Sequence, residues 1–295
     1  MRLPNWLAQH VAAFRALLVL TVLTGLLYPL AITGIAQLPG LKSKADGSLV
    51  TSGSGDVGST LIGQLFTDAD GQPLVQYFQS RPSAAGEGYD PTATAASNLG
   101  PESVVDVLPN PADSNDTGTP SLLTQVCARS LAVGELEGVD GSRPYCTADG
   151  VGAVLGVFRA GGNTGAVTRV VSLNQACPAT PFVATYQGVT VDCAKYGTDY
   201  SHGIVTPIRG TAPATPAVPA DAVTASGSGL DPGISPAYAR LQAPRIARER
   251  GISLADVRAL IERHTTGRAL GFMGQPSVNV LELNLDLDRR YPYRA

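Results

Sequence analysis

The sequence predicts an α+β fold: one N-terminal transmembrane helix, then an extracytoplasmic domain of mixed helix and sheet that carries an inserted, disulfide-bearing, β-rich region. Three observations lead to this fold class. An uncharged apolar run extends from residue 16 to residue 41. All four cysteines lie in one stretch, 127–193. Strand patterns come early and capped helical patterns come late, which is typical of α+β domains.

Composition sets limits on the class of protein. The chain has 295 residues, enough for one or two domains. Its net charge of −3 gives no sign of nucleic-acid binding, which needs a strongly basic face. With 33 glycines and 22 prolines, many loops are expected around a modest amount of regular structure.

The apolar run predicts a transmembrane helix over 11–38, with a cytoplasmic N-terminus at 1–10. A bilayer core needs about 20 apolar residues in a helix. A signal peptide cleaved near 34–36 is the alternative, but the run is longer than the usual signal-peptide core. Arg2 and Arg15 before the run, against Lys42 and Lys44 after it, give a narrow margin for the N-terminus inside.

An even number of cysteines after such a helix indicates two disulfides in an oxidising compartment. Three connectivities are possible, and we prefer pairing of sequence neighbours. The spacing lacks the C-x-x-C pairs of a zinc site, and no metal site is expected. The disulfide candidates are Cys127, Cys146, Cys177 and Cys193.

The first part of the extracytoplasmic domain is predicted at 39–103. LIGQLF (61–66) and PLVQYF (73–78) resemble two strands joined by a turn at Asp70–Gly71. The sequence DADG in that turn also resembles the start of a calcium-binding loop, but the later ligands of that motif are absent from the sequence, so a plain hairpin turn is favoured.

The insertion is predicted at 104–219, and a linker-like stretch lies near each of its ends. SLLTQVCARSLAV (121–133) predicts a short helix, and the apolar runs at 151–160 and 166–173 predict strands. A hairpin is expected around Gly188.

The second part of the domain, 220–295, carries the clearest helix signals. Ser235 caps a short helix, Pro244 starts another, and Ser253 opens a third that is expected to end at Gly267. The alternating sequence SVNVLELNLDLD (277–288) predicts a half-buried strand.

Catalytic motifs are weak. No G-x-S-x-G nucleophile elbow occurs, and GSGLDPGISP (227–236) lacks the lysine of a phosphate loop. His264, in a last helical turn, suits the helix dipole better than catalysis. His202 is the remaining candidate, so a membrane-anchored extracytoplasmic hydrolase stays as an alternative, together with an envelope-binding module in the insertion.

Two long blocks carry a family resemblance. YFQSRPSAAGEGYDPTATAASNLGP (77–101) and VTASGSGLDPGISPAYARLQAPRIARERGIS (223–253) resemble elements of the C subunit of the bacterial Kdp potassium-transporting ATPase. The block at 77–101 is similar to the family's YF-x-x-RPSA…YDP…SNLGP element. The block at 223–253 is similar to its SGSGLDP-x-ISP element followed by Q-x-PR-x-A. The N-terminal anchor and GQPSVNVLELNLDLD (274–288) also fit, so the resemblance covers most of the chain outside the insertion.

The resemblance implies an accessory subunit, without catalytic residues, of a high-affinity ATP-driven potassium import complex in the cell membrane. In that family a potassium-channel-like subunit carries the ion and a P-type ATPase subunit hydrolyses ATP; a small single-helix subunit is a further partner that the resemblance leaves open. The C subunit is needed for assembly and stability and has been described as a catalytic chaperone for ATP binding. Potassium and ATP are thus handled by the complex, and no cofactor is expected on this chain.

The matched blocks supply candidate residues for partner docking, or for bracing the domain internally. They are Arg81, Asp90, Asn98, Ser228, Gly229, Asp231 and Pro232. The sequence departs from the family at Ala95–Ala96, where Gly-Gly ordinarily precedes Ser97–Asn98, the element linked to nucleotide contact. This departure argues against direct contact with ATP.

Overall fold

A computed structural model describes residues 4–53 and 55–293. Arg2, counted above for orientation, lies outside the described residues. The chain divides after Leu61 into two compact units.

The first unit begins with a long apolar helix. It consists of α1 (Asn5–Val22), a π-helical turn (Leu23–Leu27) and α2 (Tyr28–Ala36). By length and composition this helix could cross a membrane. The π turn precedes Pro29, which lacks the N–H that an α-helix would need at that position. A short helix, α3 (Lys42–Ala45), and an antiparallel pair, β1 (Leu49–Ser52) and β2 (Gly55–Ser59), follow.

The second unit contains helices and two sheets. Its elements, in chain order, are α4 (Leu122–Glu137), β3 (Val154–Gly161), β4 (Thr164–Ala176), β5 (Thr185–Tyr186), β6 (Val189–Ala194), β7 (Ile204–Pro207), a short 3-10 helix (Ala220–Ala222), β8 (Gly233–Ile234), α5 (Pro236–Arg250), α6 (Leu254–Arg263), β9 (Thr265–Thr266), β10 (Ser277–Asn279) and α7 (Val280–Arg290). Helices α5, α6 and α7 pack with a small antiparallel sheet of order β8-β10-β9. Their shared core includes Phe78, Ile246, Leu260, Val278 and Leu283, all fully buried.

The five-stranded sheet, of order β5-β6-β4-β3-β7, lies within the predicted insertion. Strands β4 and β6 run parallel, and the other neighbours are antiparallel. Val157, Val170 and Val191 occupy neighbouring positions across three strands and are buried together. Alternate residues, such as Val154 and Val171, pack on the opposite face, so this sheet is covered on both sides.

Both disulfides join cysteines that are neighbours in sequence, as predicted. Cys127 on α4 bonds Cys146, and Cys177 bonds Cys193 on β6. The predicted helix at 121–133, the two strands and the hairpin around Gly188 are also present.

The prediction of a strand at 277–288 is wrong beyond its first three residues. Asn279 accepts a hydrogen bond from the Glu282 N–H and thereby caps α7. Val280, Leu283 and Leu287 then fall on one helical face and are buried. Leucines at alternate positions satisfy a period of two, but the N-cap at Asn279 and the helix-forming Leu and Glu residues favour a helix.

Three smaller predictions are also wrong. Helix α5 continues through Pro244 as one helix, because side chains on both sides of the proline pack in the same core. Helix α6 ends at Arg263 rather than at Gly267. The stretches 61–66 and 73–78 form the predicted turn, with Leu74 N–H donating to Phe66 O at 2.8 Å, but only one isolated bridge instead of paired strands.

Candidate functional site

The two sequence blocks meet at an ion pair. Arg81, in the first block, donates from Nη1 to Asp231 Oδ2 at 3.3 Å, and its Nη2 donates to the Ala225 carbonyl at 3.1 Å. Ser226 N–H donates to the Pro82 carbonyl at 2.8 Å. These contacts therefore cross-link a guanidinium, a carboxylate and backbone groups from residues about 150 apart in sequence.

A serine and a tyrosine extend this cross-link. Ser83 Oγ donates to the Gly229 carbonyl at 2.7 Å and accepts from Tyr89 N–H at 2.9 Å. The Tyr89 hydroxyl donates to the Arg81 carbonyl at 2.9 Å. Burial raises the pKa of Tyr89 to about 12, so this hydroxyl remains a donor across the physiological range.

The glycine-rich loop is shaped by close backbone approach. Gly229 has a φ of 76°, and a Cβ there would lie 3.0 Å from the Ala85 nitrogen and 3.0 Å from the Ala95 carbonyl oxygen. Ser228 Oγ accepts from Leu230 N–H at 3.1 Å and lies 3.4 Å from Asp231 Oδ1. The loop is thus a braced turn against the first block.

The remaining candidates are distributed differently. The Pro232 carbonyl accepts from Val280 N–H at 3.1 Å and so connects the loop to the start of α7. Asp90 accepts from both the backbone and the hydroxyl of Thr92, and these hydrogen bonds lower its pKa. Asn98 is exposed in an irregular segment. The structure therefore brings Arg81 and Asp231 together but leaves Asp90 and Asn98 outside their cluster.

The residues that hold the first block in place are not among the candidates predicted from the sequence. Residues 75–79 belong to no strand among the described residues. Gln242 instead accepts from Gln79 N–H at 2.6 Å and donates to Gln79 O at 3.1 Å. Asn284 makes the same pair of bonds with Phe78, both at 2.9 Å. Two amide side chains thus substitute for a neighbouring strand, since each offers one donor and one acceptor.

Arg245 completes this arrangement. It donates to the carbonyls of Val75 and Tyr77 and forms a bidentate ion pair with Glu137 of α4, with Nη2 to Oε1 at 3.0 Å. The side chains of Arg245 and Glu137 are 2% and 0% exposed. Burial raises the pKa of Glu137, and the adjacent guanidinium opposes that rise. Helix α4 of the predicted insertion is thereby part of the same core as the matched blocks.

A cleft of about 440 Å³ lies beside the Arg81–Asp231 pair. Thr266, Ser277 and Asn279 line its other side. In the part of the chain that the structure describes, no group of three His, Cys, Asp or Glu side chains could hold a metal ion. The cleft presents charged and hydroxyl groups suited to a polar contact.

His202, the candidate of the hydrolase alternative, is exposed in a turn of the insertion. Across residues 4–53 and 55–293, no serine lies in hydrogen-bond contact with its ring. The arrangement of serine, histidine and carboxylate that nucleophilic hydrolysis needs is not assembled around it in the described chain.

Comparison with known proteins identifies the family. A family model described as "KdpC: K+-transporting ATPase, c chain" matches residues 10–107 and 199–289. The chain belongs to the KdpC family. A potassium-transporting ATPase KdpC subunit from Kineococcus radiotolerans is 37% identical over 290 residues, covering 98% of each chain. The corresponding subunits of Beijerinckia indica and Mycobacterium tuberculosis H37Rv are 34% and 36% identical, covering 96% and 95% of this chain and 95% and 98% of theirs.

KdpC membership implies an accessory role in potassium import, as a partner of the catalytic subunit of the ATPase. The gap between the two matched ranges falls inside the predicted insertion at 104–219. Alignment over 98% of the Kineococcus chain nevertheless extends across this region, so the additional segment is not peculiar to this chain. The boundaries of the insertion stay a prediction.

Proposed function

We propose that this KdpC subunit is an accessory chain without catalytic residues, anchored by the helix Asn5–Ala36 with its N-terminus in the cytoplasm and the unit from Ile62 onward outside. It assembles with a potassium-channel-like subunit and a P-type ATPase subunit, with a small single-helix subunit as a further partner. Three observations together support this proposal. The chain belongs to the KdpC family, it has a helix long enough to span a bilayer, and it has two disulfides of the kind formed in oxidising compartments.

The cross-linked loop provides the docking face in this proposal. Arg81 and Asp231 border a cleft with Ser277 and Asn279, and the face contacts the outer mouth of the channel-like subunit. The bracing by Ser83 and the close approach at Gly229 fix the geometry before assembly. Such preorganisation lowers the entropic cost of association.

Co-purification tests both assembly and the docking face. The tagged full-length chain is co-expressed with the other subunits, and recovery and potassium-stimulated ATP hydrolysis are measured in detergent. Asp231→Lys should reduce recovery, because it reverses a charge in the face and repels Arg81. Asp199→Lys, a charge reversal in an exposed turn of the insertion, should not. Normal recovery with Asp231→Lys excludes docking through this loop.

Topology and the catalytic-chaperone role need separate measurements. A membrane-impermeant reagent should label a cysteine introduced at exposed Glu87 in intact spheroplasts, whereas one introduced at Asn5 should react only after permeabilisation. The chaperone role predicts that the purified ATPase has a lower KM for ATP when this subunit is bound. An unchanged KM with normal assembly limits the subunit to assembly and stability.

A further inference from the structure

The hairpin between β9 and β10 has an apolar tip at 268–274. Ala269 and Met273 exchange both backbone hydrogen bonds at 2.9 Å, and Gly271 N–H donates to the Arg268 carbonyl at 3.2 Å. These bonds close the tip into a defined turn. The shape of the tip is consequently set by its own backbone hydrogen bonds rather than by packing against the core.

The side chains of this turn face solvent. Leu270 is 83% exposed, Phe272 is 71% exposed, and Met273 is about half exposed. Neighbouring exposed apolar side chains on one turn are unusual for a surface that stays in water. Aromatic residues and methionine are enriched where proteins contact one another.

Leu270 adds a conformational argument. Its φ of 52° lies in the left-handed region, where asparagine or glycine would be less strained. The Leu270 side chain is 83% exposed, so packing against the described residues does not account for the strain. Backbone strain of this kind is a pointer to function. The strain is explained if the side chain is buried by another molecule.

The surroundings of the tip favour a protein over a lipid surface. Thr266 and Ser277, the two ends of the hairpin, line the cleft beside Arg81 and Asp231. The exposed apolar side chains of the tip therefore lie next to fixed polar groups. Protein interfaces commonly have this arrangement, with an apolar centre and a polar rim. Arg268 is the cation of the tip. Its Nη2 donates a hydrogen bond to Gln275 Oε1 at 3.1 Å, so this guanidinium is engaged within the hairpin rather than directed at an anionic lipid headgroup.

We propose that the tip formed by Leu270, Phe272 and Met273 inserts into an apolar pocket at the outer mouth of the channel-like subunit, the partner proposed for the adjoining cleft. The cleft of Arg81 and Asp231 forms the polar rim of the same interface. This inference rests on the proposed function, which supplies the partner. It goes further in assigning the apolar anchor to a segment outside the glycine-rich loop.

The test separates anchoring from folding. Leu270→Asn places a polar residue that accepts left-handed backbone at the strained position. We expect recovery of the channel-like subunit to fall by about tenfold or more when Leu270→Asn is combined with Phe272→Ser. Thermal stability of the isolated full-length Leu270→Asn chain should be unchanged or higher. The matched control combines Val107→Asn and Tyr196→Ser, two exposed apolar positions in the insertion.

A photo-crosslinker at position 272, introduced as Phe272→p-benzoylphenylalanine, identifies the occupant by the mass of the adduct. An adduct with the channel-like subunit supports the proposal. An adduct with the ATPase subunit, an adduct with lipid alone, or recovery that equals that of the control variant overturns it. If the unmodified chain recovers no partner, the proposed function itself fails, which is distinguishable from loss of the tip contact alone.

Discussion

Removing the charge of Glu137 should destabilise the second unit strongly. Glu137→Gln keeps the shape of the side chain but leaves the Arg245 guanidinium, 2% exposed, without its counter-charge. Breaking a buried ion pair by removing one partner costs about 3–5 kcal/mol. For a unit of this size, 1 kcal/mol corresponds to roughly 2–4 °C in Tm, so a fall of roughly 6–20 °C is expected.

The assay is thermal and denaturant unfolding of the full-length chain in detergent, followed by far-ultraviolet circular dichroism. Glu135→Gln is the matched control, because Glu135 lies on the same helix and is exposed. Its effect should stay within about 0.5 kcal/mol.

Repeating Glu137→Gln in a chain that also carries Arg245→Met identifies the cause of the destabilisation. In an Arg245→Met chain no guanidinium remains to be stranded, so adding Glu137→Gln should be neutral or stabilising there. Double-mutant cycles measure such coupling directly. If Glu137→Gln costs the same in both backgrounds, or less than about 1 kcal/mol in the wild-type chain, the ion pair does not connect α4 to the core as argued.

Three further predictions concern the loop, the last helix and the insertion. Gly229→Ala should cost more than about 1 kcal/mol, because its positive φ and the nearby Ala backbone oppose a Cβ, whereas Gly227→Ala, with open space around it, should be nearly neutral; denaturant unfolding compares them. Burial raises the pKa of Asp286, but hydrogen bonds from His264 and Arg290 outweigh it and the net pKa is lowered. A lowered pKa gives stability that is present above the ordinary Asp pKa of about 3.9 and lost as pH falls through the folded value, so Asp286→Asn should destabilise by about 1 kcal/mol at pH 7 and by progressively less as the pH falls below about 3.9 in unfolding titrations. Replacing Cys127 and Cys146 by serine should cost about 3 kcal/mol, measured as a shift in the denaturant midpoint, since the bond closes a loop between residues 19 apart.

Local chemistry made some of this fold predictable. Ser235 and Ser253 cap α5 and α6 as expected, each accepting from the N–H three residues on. Each capping serine and the N–H that it accepts from lie within four residues of sequence, so the start of the helix can be predicted without knowledge of the tertiary structure. The strand prediction for the closing segment failed because its leucine spacing satisfies both periods, and the N-cap at Asn279 is what decides between them.

The site was predictable only as two separate motifs. Nothing in the sequence alone indicates that Gln242 bonds Gln79 across 163 positions, or that Asn284 bonds Phe78 across 206. A buried glutamine and an exposed one are indistinguishable in sequence. The family resemblance placed both blocks in one domain, but the hydrogen bonds that join them depend on the folded arrangement of α5 and α7.

The hydrogen bonds within the chain show that the sequence motifs differ in their physical roles. Gln242 and Arg245 of the Q-x-PR-x-A element point into the core, where they satisfy backbone groups of residues 75–79, which pair with no strand in the described part of the chain. Leaving such buried groups unpaired would cost about 1–3 kcal/mol each, so this element is constrained by hydrogen bonding within the chain. Arg81 and Asp231, by contrast, border an open cleft next to an exposed apolar tip. Substitutions at Gln242 should therefore act through folding, and substitutions at the tip should act through assembly, which makes stability and partner recovery separable measurements on the same chain.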